Sequence, residues 1–260
     1  MEVTPVQCTI KSRGVRLGAH LSRPAGDTPD RRAPGLVLCH GFPAGSGGAA
    51  TTGQTYPELA ERLAAESGWT VLSFNFRGTG SSTGQFSLAG WLQDVQSAVD
   101  FLLAAPDVSG AWLAGSSTGG ALSICAAAED DRVRGVATLA APADFSDWAS
   151  DVGGFLAYAR DVGVVSSDSD FPADVDDWGR ELHEIRPLTV VGKIPPRPIL
   201  LLHGSDDEAV PVTDAYALAD AAGGTAELHV FNQAGHRLRH DPRVIAVLLG
   251  WMERQAAGGP

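Results

Sequence analysis

The chain has 260 residues, with 31 acidic and 19 basic side chains and a formal net charge of −12. That length suits one α/β domain with a large core. The acidic balance argues against a nucleic-acid partner, which would call for a basic stripe, and against an anionic membrane surface. No apolar run approaches the roughly 20 residues needed to cross a bilayer. No early stretch joins a basic start to a long apolar core, so a signal peptide is not expected and a cytoplasmic location is. The three cysteines, Cys8, Cys39 and Cys125, are odd in number and lack C-x-x-C spacing. Free thiols in a reducing compartment are expected, with no metal and no cofactor.

In chain order, Val6 to Lys11 and Val15 to Leu21 read as a hairpin around Ser12-Arg13-Gly14, and Pro24 to Pro34 as a connector. From there strand and helix alternate. Strands are expected at Gly35–Cys39, Thr70–Phe74, Gly110–Ala114, Val133–Ala140, Pro198–Leu202 and Ala226–Phe231. Helices are expected at Tyr56–Ser67, Leu88–Ala104, Thr118–Ala128, Thr213–Ala222 and Asp241–Gln255. The helix from Leu88 carries apolar residues at Leu92, Val95, Val99 and Leu102, the spacing of one buried face. Such alternation implies an α/β fold, a mostly parallel sheet with helices on both faces. Ligands of such sheets bind outside the carboxyl ends of the strands. Gly45 to Gly48 reads as a flexible loop close to the strand that ends at Cys39.

Gly115-Ser116-Ser117-Thr118-Gly119 has the G-x-S-x-G pattern between a short apolar strand and a small-residue helix. In that setting the turn is so tight that flanking side chains would clash. The central serine, Ser117, then projects at the top of the sheet above a helix N-terminus. Downstream, Ile199 to Leu202 leads into His203-Gly204-Ser205-Asp206-Asp207-Glu208-Ala209-Val210-Pro211, and Glu227 to Phe231 leads into Asn232-Gln233-Ala234-Gly235-His236. Serine, acid and histidine therefore occur in that chain order, each just past a strand end. Arg77-Gly78-Thr79-Gly80-Ser81 fits neither G-x-x-x-x-G-K-[ST] nor G-x-G-x-x-G and reads as a structural turn.

Taken together, the sequence resembles the α/β-hydrolase superfamily, in its serine-nucleophile, esterase-like branch. The resemblance rests on Leu36 to Phe42 with its His40-Gly41, on Phe74 to Ser82, on Gly115 to Gly119, on the His203-Gly204-x-x-Asp207-x-x-Val210-Pro211 register and on Gly235-His236. It implies an α/β-hydrolase fold over residues 1–260, with Ser117 as nucleophile, His236 as general base and acid, and Asp207 orienting the imidazole. Asp206 and Asp144 remain alternatives for the acid. The oxyanion would be met by the backbone N–H of Thr118, after the nucleophile, and by that of Phe42, which the resemblance supplies. His40 is expected to be structural rather than a proton carrier.

Residues 142–192 break the alternation. They hold Phe145, Trp148, Phe155, Tyr158, Phe171 and Trp178, with short helices expected at Asp147–Asp161 and Val175–Glu184. Two roles fit: an excursion with its own small core and a solvated acidic face, or a cap over the site. Eleven acids face three arginines between Asp144 and Arg186. A cap so charged would favour neutral or cationic substrates. The expected activity is hydrolysis of a small-molecule carboxylic ester through an acyl-enzyme. A peptidase or amidase, a thioesterase or a C–C hydrolase would use the same triad, and the rival from another class is a non-catalytic binding protein on the same fold. Oligomeric state is not legible.

Overall fold

The computed structural model describes residues 2–24, 32–45 and 48–257. The expected connector thus lies outside the described residues from 25 to 31, as does the Gly45–Gly48 loop at 46 and 47. The described strands are β1 (Val3–Ser12), β2 (Val15–Pro24), β3 (Ala33–Cys39), β4 (Thr70–Phe74), β5 (Val108–Ser116), β6 (Val133–Leu139), β7 (Ile199–Gly204) and β8 (Glu227–Phe231). They form one sheet in the order β1-β2-β4-β3-β5-β6-β7-β8. The hairpin β1–β2 joins β4 antiparallel; from β4 to β8 every pairing is parallel.

Alternation of side chains explains why these runs form central strands. Leu36, Leu38, Trp112, Ala114, Leu200 and Leu202 enter one apolar cluster, beneath α2 (Tyr56–Ser67) and α10 (Pro242–Ala257). Their neighbours Val37, Cys39, Ala111, Leu113, Ile199 and Leu201 enter the other, beneath α3 (Leu88–Leu103), α4 (Thr118–Glu129) and α9 (Val212–Ala221). Both faces are buried, so the strands read as continuous apolar runs rather than alternating ones. Two four-residue helices, α1 (Gly48–Thr51) and α8 (Pro187–Val190), complete the set with α5 to α7 below. No helix among the described residues is long and apolar enough to cross a membrane.

The strand Thr70–Phe74 is found with the expected bounds, and the other strands shift at one or both ends by one to three residues. Leu139 ends β6 because Ala140 adopts φ 55°, which no strand accommodates. The single helix expected at Asp147–Asp161 is two, α5 (Ser146–Ser150) and α6 (Val152–Asp161). Asp151 divides them: at φ −141° it leaves the helix and its carboxylate accepts from Gly154 N–H at 2.8 Å, capping α6. The helix α7 (Val175–Glu184) is capped in the same way by Asp174.

Register aligns one edge of the sheet. Cys39 pairs with Gly115, Ser116 with Leu139, Leu139 with Leu202, and Gly204 with Phe231. The carboxyl ends of β3, β5, β6, β7 and β8 therefore finish at one level, and Phe42, Ser117, Asp207 and His236 follow them by a few residues.

Candidate active site

Ser117 lies between β5 and α4 at φ 50°, ψ −124°, a backbone state that a residue with a side chain adopts at a cost of about 1–3 kcal/mol. The surroundings hold it there. Its N–H donates to Leu139 O at 2.8 Å and its carbonyl accepts from Ala121 N–H at 3.0 Å. Gly115 and Gly119 are required by contact: a Cβ on Gly115 would overlap the Gly119 carbonyl, and one on Gly119 would overlap the His40 carbonyl. The small residues of the motif thus let a strand, a helix and the loop after β3 meet around one serine.

Asp207 and His236 are joined. His236 Nδ1 donates to Asp207 Oδ2 at 2.8 Å, with Oδ1 at 3.1 Å. The Asp207 side chain is wholly buried, and its Oδ1 accepts from the N–H groups of Ala209 and Val210, both at 2.9 Å. Burial pushes this carboxyl up, but the His236 bond and the two backbone donors outweigh it and hold it below the ordinary carboxylate value. The other acids are engaged elsewhere. Asp206 is exposed and accepts from Ser205 Oγ at 2.6 Å; Asp144 pairs with Arg186 at 3.3 Å and accepts from Ser146 N–H at 2.9 Å. Behind Asp207, buried His203 donates from Nε2 to Val210 O at 2.9 Å, fixing the loop that carries the acid.

The loop after β3 runs against the elbow. A Cβ on Gly41 would stand 3.1 Å from Ser117 Cβ and 3.2 Å from Ser116 O. His40 Nδ1–H donates to the Gly41 carbonyl at 2.8 Å, and Nε2 accepts from Phe76 N–H at 3.2 Å. In the trans Gly41–Phe42 peptide, the Phe42 N–H points opposite to that carbonyl, away from His40. Thr118 is the first residue of α4, so its N–H has no acceptor within the helix. Complete burial lowers the His40 imidazole to about 4, so it is neutral and serves as a fixed donor–acceptor pair. The turn from Arg77 is tied down by a buried ion pair, Arg77 Nη2 to Asp94 Oδ1 at 2.7 Å, with Ser12 Oγ donating to the same oxygen at 2.6 Å. Burial raises the Cys39 and Cys125 thiols to about 12, which leaves them inert.

Ser117 and His236 line one cleft of about 310 Å³. Among the described residues its walls are Gly41 to Ala44, residues of the stretch from Gly48 to Tyr56, the elbow, and the run from His236 to Arg239. No residue of the 142–192 segment lines it, so the eleven acids of that segment are not on its wall. Several have local tasks instead: Asp151 and Asp174 cap helices, and Glu181 accepts from Ala89 N–H at 2.9 Å at the start of α3. Phe145, Phe155 and Trp178 of the segment are buried, while Tyr158 stays 41% exposed. Trp148 stacks on Phe155 at 4.2 Å between centroids, Trp178 donates from its indole to Phe86 O at 3.1 Å, and Phe42 meets Trp148, Phe155 and Tyr158 at 5.0–6.0 Å. Phe42 is therefore the link between that packing and the loop at Ser117.

Tyr56, Arg237 and Arg239 line the cleft and were not marked by the motifs. The run His236-Arg237-Leu238-Arg239-His240 carried a signal all the same: a basic cluster directly after the histidine in an acid-rich chain.

Known proteins agree with this architecture. The family described as alpha/beta hydrolase fold matches residues 34–163. No curated protein matches the chain. Among solved structures, Est1E from Butyrivibrio proteoclasticus aligns with a TM-score of 0.70 at 21% identity, over 95% of this chain and 96% of that one. The alpha/beta hydrolase GrgF from Penicillium sp. sh18 aligns at 0.73 and 20% identity, over 99% and 100%. The Pyrococcus furiosus esterase Pf2001 aligns at 0.70 and 17% identity, over 98% and 93%. Identities this low show a shared fold.

Proposed function

The chain belongs to the alpha/beta-hydrolase fold family, and from that premise we propose that it is a serine hydrolase cleaving carboxylic esters through an acyl-enzyme. The observation that carries this reading is the Asp207–His236 pair, bonded at 2.8 Å, whose histidine lines one cleft with Ser117 in its strained turn.

Each group has one task. His236 takes the Ser117 proton as Oγ bonds to the acyl carbon, since a neutral hydroxyl is a weak nucleophile. The carbonyl oxygen becomes an oxyanion beside the N–H groups of Phe42 and Thr118, and losing one such donor costs about 3–4 kcal/mol in the transition state. The ester C–O bond breaks and His236 protonates the departing alcohol. Water then attacks the acyl-enzyme, giving its proton to His236, and the acid leaves as Ser117 regains a proton. Asp207 keeps the imidazole in the tautomer with Nδ1 protonated and stabilises the imidazolium. Residues 142–192 belong to the same unit and brace the Phe42 loop through Trp148 and Phe155.

A panel of p-nitrophenyl esters of increasing acyl length, with aminoacyl p-nitroanilides alongside, tests the reading. Ester turnover should exceed anilide turnover, and Ser117→Ala should lower kcat on the order of 10⁶-fold while the circular dichroism spectrum is unchanged. Ester hydrolysis that survives Ser117→Ala would refute it.

A further inference from the structure

In a chain with 31 acids and 19 bases a cation finds a partner easily. Arg23, Arg77, Arg132, Arg197, Arg243 and Arg254 do, and the other described arginines without an ion pair, such as Arg16, Arg134, Arg160 and Arg237, stand exposed in water, whereas Arg239 is part-buried. Arg239 makes no ion pair among the described residues. Its Nε is buried without a hydrogen-bond partner, its Nη2 reaches the Thr55 hydroxyl at 3.5 Å, and its guanidinium carbon lies 5.2 Å from the centroid of Tyr56. A part-buried guanidinium held on an aromatic ring has lost hydration that no protein carboxylate returns. Arg239 lines the same cleft as Ser117, and Arg237 stands exposed at its side. No carboxylate lines that cleft among the described residues, and the loop positions outside them, Ser46 and Gly47, carry no charge. The acid of the site, Asp207, is buried behind His236 and already answered by it and by two backbone donors.

We infer that the substrate carries a carboxylate of its own, bound by Arg239, a few bonds from the scissile acyl carbon. The inference rests on the hydrolase reading of this cleft. A planar carboxylate matches the two Nη groups of one guanidinium, and a monoanion is what one fixed cation neutralises. The cleft, about 310 Å³, is at the small end of ligand sites, so acyl carbon and carboxylate belong to one compact molecule. Charge selection thus falls to the arginines of the wall, opposite in sign to the preference expected from the acidic segment.

The test uses matched esters with the carboxylate on either side of the scissile bond: 4-acetoxybenzoate against 4-acetoxybenzamide, and mono-p-nitrophenyl adipate against p-nitrophenyl hexanoate. In at least one pair the anionic member should lead in kcat/KM by about tenfold. Arg239→Gln should bring that ratio close to one through KM, Arg239→Lys should restore part of it, and Arg180→Gln, on the surface, should leave it alone. A ratio that Arg239→Gln does not change overturns the inference while leaving the hydrolase reading intact. Should no ester turn over, the hydrolase reading fails by itself, and binding decides the rest. Calorimetry of 4-acetoxybenzoate with Ser117→Ala and with Ser117→Ala/Arg239→Gln should differ about tenfold in Kd. Equal affinities, or no binding to either, overturn it.

Discussion

The strand-end site and the 142–192 segment are built from opposite materials. The site uses glycine, serine and small polar residues, holds Ser117 at φ 50°, and leaves Arg239 without an ionic partner. The segment is aromatic and acidic, yet its rings stack on one another and on the core, and several of its acids cap helices or pair with arginine. Aromatic and charged enrichment here marks packing and helix capping. The site instead sets a strained serine and an arginine without an ion pair, among the described residues, beside one cleft. Substitutions in the first region should therefore show in turnover, and substitutions in the second in stability.

The largest effect after that of Ser117 itself is expected at the acid. Asp207→Asn should lower kcat about 10⁴-fold with little change in fold, because the amide selects the wrong histidine tautomer. Asp144→Asn should change kcat by less than about threefold, since its carboxylate serves Ser146 and Arg186. Steady-state kinetics on both variants checks this, and a crippled Asp144→Asn would move the acid to the end of β6. Trp178→Ala probes the other region. It removes a ring stacked on Phe155 and should cost about 3–5 kcal/mol in urea unfolding. Activity per folded molecule should stay within about twofold of the parent protein. Lost turnover without lost stability would make the segment part of the chemistry.

His40 joins the two behaviours, since it is buried and also holds the Gly41 carbonyl in the loop beside Ser117. Its pKa falls from 6.5 in the unfolded chain to about 4 in the fold. Between those values the unfolded state binds the extra proton. The stability tied to neutral His40 is therefore complete above pH 6.5 and is lost as pH falls towards 4, by roughly 3 kcal/mol in all. His40→Asn should be less stable at pH 7 and show a flatter stability profile from pH 6.5 to 4, read by chemical denaturation at each pH. An unchanged slope would assign the acid sensitivity to other groups. The smallest effect sharpens the contrast from the site's side. Ser117→Gly removes the strained Cβ and should raise stability by about 1 kcal/mol while abolishing turnover. A destabilised Ser117→Gly would mean that the turn is not strained.

The elements that carry Ser117, Asp207 and His236 were legible because their signals are local. Fully apolar runs such as Ile199 to Leu202 are what a strand buried on both faces requires, and each elbow glycine is backed by a carbonyl that excludes a side chain. The break at Asp151 was missed because an aspartate inside a helical pattern looks the same whether it faces solvent or caps the next helix. The cleft wall was hidden for a different reason. Thr55 and Arg239 meet across 184 residues of sequence, and no period or motif encodes that distance. Only the fold shows that the loop after β3, and not the aromatic segment, stands opposite the histidine loop.

Ser117 is the residue on which the proposed chemistry depends, and a fluorophosphonate probe with mapping of the adduct by mass spectrometry interrogates it directly. Attack by Ser117 Oγ on phosphorus expels fluoride and should leave one phosphonyl group on the peptide containing Gly115 to Gly119, at Ser117. The adduct should be absent from Ser117→Ala and form far more slowly in Asp207→Asn. An adduct on Ser116, or none on the folded native protein, would contradict the assignment of this cleft as the site of a serine hydrolase.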